Sequence, residues 1–315
     1  MPERTLVTGA LGCVGAWTLK ALLELGEEPV GYDLGGDDAR VRLVLDEEER
    51  RRVTLLADDV TDAEALGRAL DEHGITRVVH LAALQVPLVR ADPVRGAHVN
   101  VRGTVAVFEA VKARRDRIPG LAYASSTAVY GPHDPSPAPE SGGTRPVTLY
   151  GVFKLANEGT ARVYWEEDGV PSLGIRPYVV YGAGRDQGLT SGPTLAMAAA
   201  ARGEGYQIGY GGIVQYDLAR DVGRAFALAA RAAEDGAHVA NFPGVAASME
   251  EVVACIEAAA PEAAGKIAFS DVRLPFPETL EATLLERLVG PLRRTPLAEG
   301  VRLTVEHYRA ASAPA

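Results

Sequence analysis

Tyr150 and Lys154 stand four residues apart in Tyr150-Gly151-Val152-Phe153-Lys154, at the head of a helically patterned segment, and so share one helix face. A free phenol titrates near ~10, too high for a base at neutral pH, and a neighbouring ammonium is expected to lower that value by favouring the phenolate. Such a pair suits proton exchange with a substrate hydroxyl. The spacing alone is common, and its plain alternative is a surface tyrosine beside a solvated lysine. Two features favour the chemical reading. Only four of the 32 Lys+Arg residues are lysine, and a compact ammonium reaches ribose hydroxyls where a planar guanidinium fits differently. Upstream, a strand-like run ends in Ala124-Ser125-Ser126-Thr127, and Ser126 is expected to hydrogen-bond the same substrate oxygen as Tyr150.

A second constellation lies near the start. Thr8-Gly9-Ala10-Leu11-Gly12-Cys13-Val14-Gly15 follows a strand pattern and leads into a helix. Gly9, Gly12 and Gly15 permit a tight turn, close approach to a pyrophosphate and close helix–strand packing, while the helix N-terminus supplies N–H donors. In a chain with 34 glycines this pattern alone is weak. Asp33 strengthens it, since it ends the next strand pattern at the offset expected of a carboxylate on the adenosine ribose. A carboxylate there repels a 2′-phosphate, so the expected cofactor is NAD rather than NADP, with Arg40 close enough in sequence to leave the choice open.

The elements that must position these groups read as strands over 5–8, 29–32, 53–57, 77–80 and 121–125, separated by helical patterns. Thr61 with Glu64, and Ser248 with Glu251, have capping-box spacing; Asp92-Pro93 reads as another helix start. The mixed charges of 46–52 read as a solvated helix face. Alternation of this kind predicts an α/β fold with a doubly wound parallel sheet. Residues 1–180 are read as the dinucleotide domain, with 220–242 returning to it as helix (220–233) and strand (239–242). The glycine-rich remainder, mainly 181–315, is read as a smaller C-terminal substrate-binding lobe with a frayed tail from 310. The polar loop 185–191 offers Arg185 and Thr190 as substrate contacts, and Gln85 is a further candidate.

Composition narrows the partners. The balance of 32 Lys+Arg against 42 Asp+Glu, net −10, works against nucleic acid and anionic lipid. No apolar run reaches membrane-span length, and the opening residues enter a strand without a signal-peptide pattern. With only Cys13 and Cys255, a cytoplasmic location is expected. The histidines show no metal-ligand spacing, so no metal is expected.

Taken in order, the motifs resemble the extended short-chain dehydrogenase/reductases, in particular the NAD-dependent epimerase/dehydratase family acting on nucleotide sugars. The matching segments are TGALGCVG (8–15), Asp33, Asp59-Val60, HLAA (80–83), HVNVRGT (98–104), SSTAVYG (125–131), YGVFK (150–154), RPYVVYG (176–182), Asp221-Val222 and PLAEGVRLTVEHY (296–308). The resemblance implies a Rossmann fold, with Val14 in the glycine turn and Asp59 and Val60 at the adenine. It further implies Leu81, Ala82 and Ala83 along the cofactor channel, Asn100 supporting the strand ends, and Pro177 beside the nicotinamide. Ser126, Tyr150 and Lys154 form its catalytic set, and Thr127 and Tyr178 lie where substrate is expected. It also implies a homodimer through the helices read over 92–114 and 149–168.

Dehydratases of the family carry an Asp-Glu pair after the catalytic Ser/Thr, and decarboxylases a nearby glutamate; here Thr127 and Ala128 stand in those places. The reading is therefore 4-epimerisation of a nucleotide sugar. Its alternatives are an NAD-dependent dehydrogenase of a free sugar, sugar acid or other secondary alcohol, and a non-catalytic NAD-binding protein.

Overall fold

The computed structural model describes residues 3–232 and 235–312. Six strands open the chain: β1 (Thr5–Thr8), β2 (Val30–Asp33), β3 (Thr54–Ala57), β4 (Arg77–His80), β5 (Leu121–Ala124) and β6 (Ser172–Arg176). With Ala237–Asn241 they form one seven-stranded sheet, in the order 237–241, β6, β5, β4, β1, β2, β3. All its pairings are parallel. Short β-branched runs such as Thr5–Thr8 are buried throughout, as strands covered by helices on both faces must be. The edge strand β3 instead alternates half-buried with exposed residues.

Strand order reverses on either side of β1, and there the helices after successive strands leave on opposite faces, opening a crevice at the carboxyl ends. The pairings Thr8↔Tyr32 and Thr8↔His80 put the ends of β1, β2 and β4 level at that edge. One apolar core lies under the first helix, Cys13–Glu24, with Leu19, Leu22, Val222 and Phe226. On the other face Val107, Phe108, Val111 and Tyr123 form a second.

Beyond β6, a three-stranded sheet runs in the order 245–248, 213–218, 179–181, beside a two-stranded parallel pair, Tyr206–Ile208 with Ile267–Phe269. These surround their own core of Met197, Tyr216, Met249 and Val301.

Local chemistry explains where elements begin. Asp46 and Glu49 cap each other's backbone in a short solvated helix, Glu47–Arg51, and Ser248 with Glu251 does the same at Met249. Asp92 caps the helix that starts at Pro93. The expected Thr61–Glu64 box does not form. Asp62, one residue later, accepts from the backbone N–H groups of Glu64 and Ala65, while the Thr61 N–H is turned back to the Asp59 carboxylate; a carboxylate at N-cap serves two donors at once. The helix expected over 92–114 is also interrupted. Between Pro93–Ala97 and Gly103–Lys112, His98–Arg102 winds as a π turn. The helix expected over 220–233 spans Ala219–Ala229, and Ala233 lies outside the described residues. Of the tail expected to fray, 310–312 continue the helix Leu297–Ser312, and 313–315 lie outside the described residues.

Candidate active site

A cleft of about 480 Å³ runs along the carboxyl edge of the sheet, from the turn after β1 to the head of the helix Leu149–Asp168. At its first end Gly9 donates its N–H to the Tyr32 carbonyl at 2.9 Å, and Gly12 donates back to Gly9 at 3.0 Å. Gly9 has φ +70°, and a Cβ there would lie 2.7 Å from the Ala82 nitrogen. At Gly15 a Cβ would collide with the Gly9 carbonyl oxygen. Both positions therefore require glycine for the turn to close. Gly12 caps the first helix with no side-chain acceptor, leaving the first-turn N–H groups free for an anion.

Asp33 accepts from the Leu11 N–H at 3.0 Å and from its neighbour Leu34 at 2.8 Å, which holds its carboxylate at the cleft wall. Asp59 and Val60 continue that wall; the Tyr32 hydroxyl donates to the Asp59 carbonyl. Leu81, Ala82 and Ala83 line the middle, with the N–H groups of Leu81 and Ala82 donating to the Thr8 hydroxyl. That hydroxyl also meets buried His80, whose imidazole burial pushes down to about 3 and so keeps neutral.

At the other end Thr148 caps the helix through the Gly151 N–H, placing Tyr150 in its first turn and Lys154 one turn on. The Lys154 ammonium lies 5.7 Å from the Tyr150 ring centroid and donates to the Ala124 carbonyl at 2.6 Å. Its residue is 4% exposed, and burial brings its pKa down to about 8 against the upward pull of Glu158. Tyr150 as a residue is half-buried, but its phenol lies inside, and burial pushes it up. The pull in the other direction comes from the Ser126 hydroxyl and the Arg185 charge. The expectation that the phenol is lowered is thus corrected: burial outweighs the opposing pulls, and the cation among them is Arg185, while the Lys154 ammonium donates to the Ala124 carbonyl. Ser126 accepts from the Ala128 N–H at 3.1 Å and keeps its own proton to donate.

Nearly every residue singled out in the sequence borders this one cleft: Gly9, Gly12, Val14, Gly15, Asp33, Asp59, Val60, the 81–83 run, Gln85, Ser126, Thr127, Tyr150, Lys154, Pro177, Tyr178, Arg185 and Thr190. Asn100 does not. It is buried, and its amide grips both the N–H and the carbonyl of Leu84 at 2.7 and 2.9 Å, so it holds the loop behind the cleft. Thr127 and Tyr178 border the cleft with hydroxyls already committed, to the carbonyls of Pro177 and Pro277. Arg185 donates to Gln85 at 3.2 Å, and its buried Nε has no partner. Among the described residues no cluster of His, Cys, Asp and Glu has the geometry for a metal.

One set of residues escaped the sequence reading. Glu158, two turns beyond Tyr150 on the same face, receives two bonds of 2.7 Å from Arg176 and one of 2.5 Å from the Ser125 hydroxyl. Arg176 also donates to the Tyr130 hydroxyl. The spacing of 150, 154 and 158 was visible; the partner on β6 was not.

The donor set fits a dinucleotide: free N–H groups at a glycine turn for a pyrophosphate, a carboxylate beyond them for a ribose, and a phenol–ammonium–hydroxyl group at the far end of the same cleft. Comparison with known proteins agrees. A sequence profile described as the NAD dependent epimerase/dehydratase family matches residues 5–242. UDP-glucuronate 4-epimerase 1 of Arabidopsis thaliana is 34% identical over 186 residues, 56% of this chain and 42% of that one. The match therefore spans less than half the length of such relatives. UDP-glucose 4-epimerase of Mycolicibacterium smegmatis is 31% identical over 314 residues, 97% of this chain and 98% of that protein. Among solved structures, Thermus thermophilus UDP-glucose 4-epimerase in complex with NAD superposes with a TM-score of 0.81 at 27% identity, covering 98% of this chain and 100% of that one.

Proposed function

The chain belongs to the NAD-dependent epimerase/dehydratase family, and from that premise we propose that it is an enzyme that epimerises a nucleotide sugar at C4. The observation that carries this reading is the grouping of Tyr150, Ser126 and Lys154 at one end of the cleft whose other end is the glycine turn. The glycine turn and Asp33 would hold NAD, which would supply reversible hydride transfer at the carbon bearing the reacting hydroxyl. Tyr150 takes the proton of that hydroxyl at its phenol oxygen and gives it back. Ser126 donates to the same substrate oxygen and orients it. Lys154, anchored by the Ala124 carbonyl with its ammonium 5.7 Å from the Tyr150 ring centroid, would hold the hydroxyls of the cofactor's ribose. Proton transfer by such a group contributes about 10²–10⁴ in rate.

Arg185 and Gln85 form the wall nearest Tyr150 on the substrate side, and the unpaired guanidinium nitrogen there supports an oxygen-rich ligand. Residues 181–315, apart from the strand and helix that rejoin the main sheet, supply the substrate lobe in this reading. A homodimer is supported by the apolar side chains left outside on adjoining helices: Val94 is 82% exposed, Leu88 52% and Val152 44%. No helix among the described residues is long and apolar enough to cross a membrane, and both cysteines are free, which supports a reducing compartment such as the cytoplasm.

The test is incubation of purified protein with UDP-glucose, UDP-glucuronate and UDP-N-acetylglucosamine, followed by separation of epimers and a record of absorbance at the NADH band. Appearance of the 4-epimer without net NADH supports the proposal. Stoichiometric NADH with no epimer replaces it with the dehydrogenase reading.

A further inference from the structure

We propose that Asp186 determines the choice between NAD and its 2′-phosphorylated form by occupying Arg40. The inference rests on the dinucleotide reading of the cleft and not on which sugar is bound. Three cationic side chains border the cleft among the described residues: Lys154, Arg185 and Arg40. The first two belong to the Tyr150 end. Arg40, on the helix Ala39–Val44 that follows β2, is at the opposite end, where Asp33 stands. Its Nη1 donates to the Leu11 carbonyl at 3.4 Å, and the N–H of Leu11 donates to the Asp33 carboxylate at 3.0 Å. A single residue of backbone therefore separates the guanidinium from the carboxylate assigned to the ribose. An arginine so placed is what a 2′-phosphate requires.

This guanidinium is already taken. Its Nε and Nη2 both donate to Asp186 Oδ1, at 2.9 and 2.7 Å. Asp186 lies 146 residues further along, on the segment that leads from Tyr181 into the substrate lobe. That segment is fixed from two sides: the Ala183 carbonyl accepts from the Trp17 indole at 2.9 Å, and the Gly184 N–H donates to the Tyr308 hydroxyl at 3.2 Å. The acid is thus delivered to Arg40 by the fold. With side chains 24% and 48% exposed, the pair adds little to stability, so folding does not account for it. Its effect is electrostatic. Arg40 is neutralised, Asp33 is left as the uncompensated charge at the ribose, and a 2′-phosphate of charge about −1.5 to −2 meets repulsion.

The experiment is calorimetric titration of cofactor-free protein with NAD and NADP, without sugar, for the wild type, D186N, R40A and the double variant. Wild-type protein that binds NAD establishes the cofactor site independently of the proposal. D186N is expected to tighten NADP relative to NAD by about tenfold. The gain should vanish in D186N/R40A. R40A alone should leave the NADP/NAD ratio within about twofold, because the arginine is already occupied. An unchanged ratio in D186N, a gain that survives removal of Arg40, or a large shift in R40A alone would each overturn the assignment.

Discussion

The ammonium of Lys154 and the carbonyl oxygen of Ala124, the last residue of β5, are 2.6 Å apart. A strand end thereby sets the position of a charge that the helix Leu149–Asp168 carries. The ammonium is buried, which brings its pKa down to about 8, and Glu158 is the charge pulling the other way.

A pH signature follows in the cofactor-free protein. The folded pKa of Lys154 is below the value of ~10.4 that a free lysine has when unfolded. Between about 8 and 10.4 the unfolded chain binds the extra proton, so this group's contribution to stability rises with pH across that window and is at its least favourable below 8. Lys154→Met removes the dependence. The melting temperature of the wild type minus that of the variant should increase from pH 8 to 10; a flat difference contradicts the assignment.

Tyr150→Phe should lower kcat by about 10²–10⁴, with NAD binding and melting temperature nearly unchanged, since the ring is kept and the hydroxyl's partner is Ser126 at the cleft and not the core. Turnover and cofactor content measured on one preparation check this. An unaffected kcat would remove Tyr150 from the chemistry.

Arg176→Met should be strongly destabilising. It leaves the Glu158 carboxylate, with its side chain 7% exposed, without its two guanidinium bonds, and breaking a buried pair on one side costs about 3–5 kcal/mol. Urea denaturation measures it. Glu158→Gln is expected to make Lys154 more acidic still, because Glu158 is the charge that opposes burial there.

Val94→Glu combined with Val152→Glu should convert a dimer into a monomer, read by sedimentation or light scattering. A charge placed in an apolar contact has no partner and resists desolvation. Persistence of the dimer in this variant would move the interface elsewhere.

Much of the framework was legible because the evidence was local. Strands 5–8 and 77–80 have the bounds that their β-branched runs imply, and the glycine turn, Asp33 and Tyr150 are short-range patterns. The parts that were misread depend on where a partner is. Thr61 has the right spacing for a cap, yet Asp62 offers a stronger acceptor one residue on. Asn100 has the supporting place its motif implies, yet that it acts through the backbone of Leu84 is a contact no local pattern names. The spacing of Lys154 pairs it with the phenol, and only the packed structure shows that its ammonium bonds Ala124 and that the cation pulling on the phenol is Arg185. Glu158 and Arg176 meet across 18 residues of sequence, and no periodicity announces such a meeting.

The π turn at His98–Arg102 has a consequence for changes in length. It holds one residue more than α-helical winding needs, and because the wider turn absorbs that surplus the helix after it keeps its angular phase. Deleting one residue there, Val101 for example, would let the segment close into an unbroken α-helix with Val107, Phe108 and Val111 still inside. The injury would fall on Asn100, which sits within the turn, and on its grip on Leu84. For this stretch a single-residue deletion would spare the core and strike the loop behind the cleft.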